Sequence, residues 1–495
     1  MTERASFAVA PGDLPGLRSA VSKLAGYGYC EKLVRERLGL DDLANLRWRP
    51  SPIYRAERLS AGDPLALAID LFQLQGSLPA DELLRIFAPV ECELLVRTGL
   101  LAIDDTGLAR ARAALFPVGD LLIFSDHAWP ELPHPGLTTV PSDQVMAVGM
   151  DSRHLARCTT RRRFQSVLDL CTGSGIHALL AAKHAHRVLA ADINPRAAAC
   201  ARFNAQVSGI DNVDVVVSDV FEALREERFD LITANPPFVP SPLDSLQFRD
   251  GGRSGEDVQK RIVADLPSRL APGGIAQIVT ELGERDGEPL ASRLRQWLNG
   301  APMDIHILRL GEHTAMAYAT GHAKGDDYGS YLDSVDAWAG NLQTQGYPRV
   351  VSVVLSFAWS DAKSGSPWER VEECPPPKRD AGPEIDDAFV AERLARRTDL
   401  PEVLKRSWVA RAGPIALIDA QVLGSDIEPR AKATLLGQSL TVEHHLDPLE
   451  RDVLTRLDDR IFVPELMKTL PEFEPELVIE ALRSLLRRRL VGMHV

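Results

Sequence analysis

The tetrapeptide Asn235-Pro236-Pro237-Phe238 is the part of this sequence best suited to chemistry. Both prolines lack a backbone N–H and hold φ at about −65°, so the carbonyls around them are rigidly aimed. The Asn235 side chain adds a further oxygen. Two such acceptors can grip both protons of a primary amino or amide group, which turns the nitrogen lone pair toward an incoming methyl. Phe238 adds a flat face on which a planar group can stack. Asn-Pro turns are common in isolation. This one directly follows the apolar run 229–234, at the carboxyl end of a strand, where α/β folds bind ligands.

A second set of residues has the spacing of a nucleoside site. Residues 169–178 read Asp-Leu-Cys-Thr-Gly-Ser-Gly-Ile-His-Ala after an apolar run. Gly173 and Gly175, with Thr172 beside them, let the backbone approach a ligand closely. Dinucleotide enzymes share such a loop. Asp169 discriminates, because a carboxylate at the strand end repels a pyrophosphate and suits the ammonium group of S-adenosylmethionine (SAM), directly or through water. Asp192 ends the next run, where an acidic residue accepts ribose hydroxyls. Asp219 ends the third, where a carboxylate can take the exocyclic amine of adenine. One Asp at a strand end is as readily a helix N-cap. Three in register behind a glycine loop favour a ligand.

The elements that must position these residues are short β-rich runs at 166–170, 187–192, 213–219, 229–234, 274–280, 303–310 and 349–357. Helix-length spacers separate the first five. Strand alternating with helix implies an α/β domain built on a parallel, doubly wound, seven-stranded Rossmann-like sheet. We assign it residues 117–360. An insertion at 325–346, with a helix from about 328 to 343, is expected to form part of a lid over the acceptor site. Residues 1–116 read as a helical, winged-helix-like unit, with apolar residues at helical spacing over 65–74, 81–87 and 91–101. Residues 361–410 read as a linker and irregular segment, marked by Pro375, Pro376 and Pro377. Residues 411–495 read as a second winged-helix-like unit.

Composition bounds the answer. At 495 residues the chain is long enough for about three domains. Its hydrophobic fraction of 45% and charged fraction of 25% exclude global disorder. The net charge of −13 argues against a dedicated nucleic-acid coat or an anionic-membrane binder. The six cysteines form no CxxC pair, so neither a zinc site nor a disulfide framework is suggested. No run approaches about 18 apolar residues and no signal sequence is apparent, so a cytoplasmic location is expected.

Residues 169–175, Asp192, Asp219 and Asn235-Pro236-Pro237-Phe238 together resemble the class I SAM-dependent methyltransferases. More narrowly, they are similar to the group with an Asn/Asp-Pro-Pro-Phe/Tyr signature that methylates nitrogens conjugated to a π-system. That group includes the release-factor glutamine and the amino-base methyltransferases. The turns at 250–257 and 270–274 are similar to turns of the group, and residues 140–145 loosely resemble its segment that closes over SAM. The resemblance covers about residues 117–360 and neither flank. It implies SAM as cofactor, held by Asp169, Thr172, Gly173, Gly175, Asp192, Asp219 and Asn235. It implies Asn235, Pro236 and Phe238 as the catalytic residues, with no metal.

The acceptor is read as an amide or guanidino nitrogen of a small, amino-acid-like molecule or a peptide, cationic or zwitterionic. Glu256, Asp257, Asp326, Asp327, Asp333 and Asp336, expected near the mouth, would welcome such a substrate. An exocyclic base amine in RNA or DNA is the alternative, supported by Phe238 and the flanks. A further alternative is a SAM-sensing DNA-binding regulator, against which the intact acceptor-gripping motif speaks. No membrane partner is expected. Glu281, Glu312 and His313 lie at or past strand ends and are candidates for touching substrate. The runs 161–163 and 487–489, and the pairs His184/His186 and His444/His445, read as solvated faces before they read as RNA or metal contacts. Trp359 and Trp368 read as buried between domains.

Overall fold

The apolar runs fold into strands β1 (Phe164–Leu170), β2 (Ala185–Asp192), β3 (Val213–Val217), β4 (Phe229–Ala234), β5 (Leu270–Glu284), β6 (Met303–Thr314) and β7 (Arg349–Trp359). The computed structural model describes residues 4–46, 51–127, 141–224, 226–243, 248–361, 365–420, 430–457 and 460–494. Side chains from both faces of β1, β4 and β7 are buried, as in a sheet covered by helices on both sides. The covering helices include α1 (Met150–Cys158), α2 (Ile176–Ala182), α3 (Pro195–Val207), α4 (Asp257–Arg269) and α5 (Leu290–Trp297). Further along the chain come α6 (Ala315–His322), α7 (Tyr328–Thr344) and α8 (Gly382–Ala395).

The sheet departs from expectation in two ways. It has eight strands, in the order β8-β6-β7-β5-β4-β1-β2-β3, and it is not wholly parallel. Strand β7 runs antiparallel to both β5 and β6. The pairing of Thr314 with Arg349 makes β6 and β7 an antiparallel pair, so no crossover joins them. Helices α6 and α7 are therefore an excursion at the carboxyl edge of β6.

The eighth strand, β8 (Glu369–Glu373), pairs in parallel with β6, inside the segment read as a linker. Its buried positions are Arg370 and Glu372, so no apolar alternation marks it. Charge pairing replaces apolar packing there. Glu372 accepts from His306 Nε2 at 2.7 Å, Arg370 at 2.6 Å and Arg489 at 2.8 Å. Burial would raise its pKa, yet His306, Arg489 and Arg370 hold it well below the usual carboxylate range. Beyond β8, α8 and a short helix Leu400–Leu404 complete what was expected to be irregular.

The N-terminal unit has helices Leu14–Gly26, Glu31–Leu38, Pro64–Phe72 and Pro89–Arg97, and a three-stranded sheet of Ser77–Pro79, Leu108–Ala111 and Leu101–Ile103. Its core is continuous with α3, where Phe203 meets Phe7 and Phe124 at ring distances of 5.8 and 5.4 Å. Near the C-terminus, helices Pro448–Arg456, Val463–Lys468 and Pro475–Arg487 pack on Val409 and Val491 of paired strands. A second small sheet of Ile415–Ala420, Arg430–Leu435 and His444–Leu446 has no counterpart in the sequence reading. Trp368 is buried against Phe389 of α8, and Trp359 donates to Leu270 O at 3.2 Å.

Candidate active site

A cavity of about 560 Å³ opens at the carboxyl ends of β1, β2 and β4. Thr172, Gly173, Asp192, Asp219 and Asn235 all line it. The sequence-predicted residues thus converge because their strands are adjacent in the sheet. Ser142, Gln144 and Val145 also line it; Val140 lies outside the described residues.

Asp169 does not line the cavity and is fully buried. One of its oxygens accepts from Thr172 Oγ1 at 2.6 Å and Ala178 N at 3.1 Å; the other accepts from Thr233 Oγ1 at 2.8 Å. Asp169 therefore stands off the cavity wall, which leaves no direct contact with an ammonium group. Asp169 braces the glycine loop against the first turn of α2 and against β4. Burial pushes its pKa up to about 7, against the pull of those hydrogen bonds. Gly175 caps α2 at φ +85°, and a Cβ there would lie 3.0 Å from Ala201 Cβ on α3. Glycine is required there by both backbone and packing. Gly173 faces open space, where a ligand can approach.

Asp192 holds the loop from the other side. Its oxygens accept from Gly173 N at 2.8 Å and Asn194 N at 2.9 Å. Burial raises its pKa although both N–H groups favour the charged form. Asp219 lies at the rim, paired at 3.0 Å with Arg261 of α4. Arg261 is a cavity residue that the sequence reading missed. Its only signal is helical spacing from the turn at 250–257.

Asn235 Nδ2 donates to Ser152 Oγ at 3.2 Å. Pro237 lines the cavity beside it, whereas Pro236 is buried and absent from the wall. Phe238 is likewise withdrawn. It packs with Tyr318, Val335, Trp338 and Tyr347, so the stacking surface expected of it is covered by the α6–α7 excursion. Phe248, another missed residue, is the aromatic ring that lines the cavity. The Asn-Pro-Pro loop is stapled to the following turn by Phe238 N→Arg249 O at 3.1 Å and Gly251 N→Val239 O at 3.0 Å. A Cβ on Gly255 would sit 2.4 Å from Phe238 O, so only glycine permits this approach.

The buried side of the α6–α7 excursion packs on the segment that follows Asn235, while residues 324–330 are exposed. Trp338 and Leu342 are buried, and Asn341 Nδ2 donates to Pro240 O at 3.1 Å and Arg253 O at 2.9 Å. Glu281 accepts from Tyr318 OH at 2.6 Å and Ser352 Oγ at 3.2 Å. Nearby Asp151 is pushed up to about 7 by burial and by the charge of Glu281. Glu312 instead pairs with Arg309 at 2.9 Å, and His313 sits beside the Tyr318 ring.

None of the six acidic residues expected at the mouth lines the cavity. Glu256 is turned inward, paired with Arg293 at 3.1 Å, and Asp327 caps α7. The run 487–489 is engaged internally, whereas Arg162 and Arg163 of the other run are exposed. Arg487, Arg488 and Arg489 bind Glu392, Glu450 and Glu372, and Arg161 pairs with Asp380 at 3.3 Å. Among the described residues, no group of three His, Cys, Asp or Glu is disposed to hold a metal ion, and no helix is long and apolar enough to cross a membrane.

The donor set fits SAM. The volume lies within the usual range of ligand sites, a carboxylate stands where ribose hydroxyls would bind, and open space lies over Gly173. Residues 146–296 match the Methyltransferase small domain, and residues 26–114 match a Domain of unknown function (DUF7059). Residues 146–296 are therefore a class I SAM-dependent methyltransferase domain, with SAM as its cofactor.

Among relatives, the chain is similar to the ribosomal protein uL3 glutamine methyltransferase of Bradyrhizobium diazoefficiens, 40% identical over 133 residues, covering 24% of this chain and 41% of the relative. It is also similar to the release factor glutamine methyltransferase of Geobacter sulfurreducens, 33% identical over 167 residues, covering 30% and 58%. The Clostridium acetobutylicum protein of the same name is 31% identical over 147 residues, covering 26% and 51%. The chain spans about half the length of these curated relatives.

Proposed function

We propose that this protein is a SAM-dependent N-methyltransferase acting on the side-chain amide of glutamine in a protein or peptide. The observation that carries the reading is Asn235, which shares one cavity with Asp192 and Gly173. The names of the relatives, which are glutamine methyltransferases of a release factor and a ribosomal protein, support a protein amide over a small cationic acceptor. The inward pairing of Glu256 and the internal engagement of the run 487–489 support it further, since they disfavour a cationic ligand and a polyanion respectively.

When bound, SAM supplies an electrophilic methyl. Asp192 would hold the ribose hydroxyls, Asp219 the adenine amine, and Gly173 would allow close approach. Asp169 and Thr172 act as positioning residues for the loop. Asn235 Oδ1 would accept an amide proton and aim the nitrogen, while Pro236, withdrawn from the wall, would keep the loop rigid. Phe248 and Pro237 offer the apolar faces beside it. As the new C–N bond forms and the S–C bond breaks, the nitrogen sheds one proton to solvent, so catalysis is chiefly orientation. The flanking units, residues 1–116 and 411–495, would choose the substrate.

The test is incubation of the protein with methyl-labelled SAM and, separately, a purified release factor, total ribosomal proteins, RNA and a small-molecule extract. Label recovered as N5-methylglutamine in a protein is the expected result. Label in a base or a small amine would overturn the acceptor assignment.

A further inference from the structure

Helix α1 contacts the site on one face and the N-terminal unit on another. Ser152, in its first turn, is 3% exposed and lines the cavity, where it accepts the hydrogen bond from Asn235 Nδ2 at 3.2 Å. The next residue, Arg153, is equally buried. Its Nη1 donates to Glu31 Oε1 at 3.0 Å and its Nη2 to Pro117 O at 3.2 Å. One turn on, Arg157 occupies the same face. It pairs with Asp42, Nη2 to Oδ1 at 3.0 Å, and reaches Glu31 Oε1 at 3.2 Å and Pro377 O at 3.2 Å. Burial opposes ionisation of Asp42, yet Arg157 holds its pKa below the ordinary value. Two arginines thus clamp a nine-residue helix to carboxylates lying more than 100 positions earlier in the chain.

An asparagine amide can present either its oxygen or its nitrogen to a ligand. Only the oxygen can accept a proton from an amide NH₂. A side chain that holds the nitrogen end therefore decides whether Asn235 can grip such an acceptor.

We propose that Ser152 is a positioning residue for the acceptor grip: its hydroxyl oxygen, by accepting from Asn235 Nδ2, turns Asn235 Oδ1 toward the acceptor, and Glu31 and Asp42 hold Ser152 in place through Arg153 and Arg157. The inference rests on the amide-acceptor reading of Asn235. It gives residues 26–114 a direct part in the chemistry, as a buttress, besides any part in substrate choice.

The experiment uses the full chain, deuterated and labelled with ¹⁵N-asparagine, so that the Asn235 side-chain amide is identified by its loss in Asn235→Ala. Ser152→Ala, Ser152→Thr, Asp42→Asn and the Ser152→Ala/Asp42→Asn pair are compared by that resonance, by SAM calorimetry and by kcat and KM with a release factor as acceptor. Ser152→Ala is expected to shift the Asn235 resonance, leave SAM affinity unchanged and lower kcat roughly 10- to 100-fold, as for a misplaced reacting group. Ser152→Thr should restore both. Asp42→Asn should move the same resonance, and the double variant should cost no more than Ser152→Ala alone. An unmoved resonance in Ser152→Ala, or independent multiplication of the two kcat losses, would overturn the proposal. A resonance that responds while the wild type methylates no protein would uphold the Ser152 contact and sink the acceptor reading instead.

Discussion

Replacing Asp192 by Ala removes the carboxylate that the cavity offers to a ribose. Each of its oxygens already accepts one backbone N–H, from Gly173 at 2.8 Å and Asn194 at 2.9 Å. A carboxylate oxygen has capacity for a second bond, so both oxygens remain able to take a hydroxyl. Two lost charge-assisted hydrogen bonds, at about 1.5–3 kcal/mol each, sum to about 3–6 kcal/mol. At 1.4 kcal/mol per tenfold, the range is about 100-fold to about 20,000-fold in SAM affinity. The lower end is expected, because the loop loses two anchors but remains held by Asp169 through Thr172. The change in stability should be modest. Two N–H groups lose a partner, while a carboxylate whose ionisation burial already opposes is removed. Titration calorimetry with SAM, beside a thermal melt, checks both. A dissociation constant within about threefold of wild type would refute the ribose assignment.

Asn235→Ala is expected to leave SAM affinity nearly intact while lowering turnover about 100-fold, as for removal of one orienting group; comparable loss of affinity by calorimetry would move Asn235 into the cofactor site. Asp151→Asn tests the buried carboxyl near Glu281. With a folded pKa of about 7 against an ordinary 3.8, Asp151 leaves the fold most stable below pH 3.8, and that stability is lost as pH rises toward 7. The Tm of the variant minus that of wild type should therefore grow from pH 4 to pH 7 and then level off; parallel melting curves across that range would contradict it. Limited proteolysis of the free protein should spare Val335 to Tyr347, whose buried side chains pack with Phe238 and Val239. Cleavage there that SAM suppresses would favour a lid.

The strand runs and the four ligand-facing positions were legible because each is a local pattern. A β-branched run, a glycine pair and an Asn-Pro-Pro turn constrain the backbone wherever they occur. The sheet then brings Gly173, Asp192, Asp219 and Asn235 to one cavity because their strands lie side by side. What the sequence could not decide were matters of which partner a side chain meets. Asp169 was assigned to a ligand, but it is buried off the cavity wall and three neighbours already donate to it. Phe238 was assigned to the acceptor, but the α6–α7 excursion, nearly a hundred residues later, buries it. Strand β8 was invisible because its inward positions are charged, and His306, Arg489 and the pairing of Arg370 with Glu372 offset that burial. Short-range spacing encodes where a backbone can turn and what it can expose. Whether a given carboxylate or ring is spent on the fold or left for a ligand depends on residues brought together only by the tertiary structure.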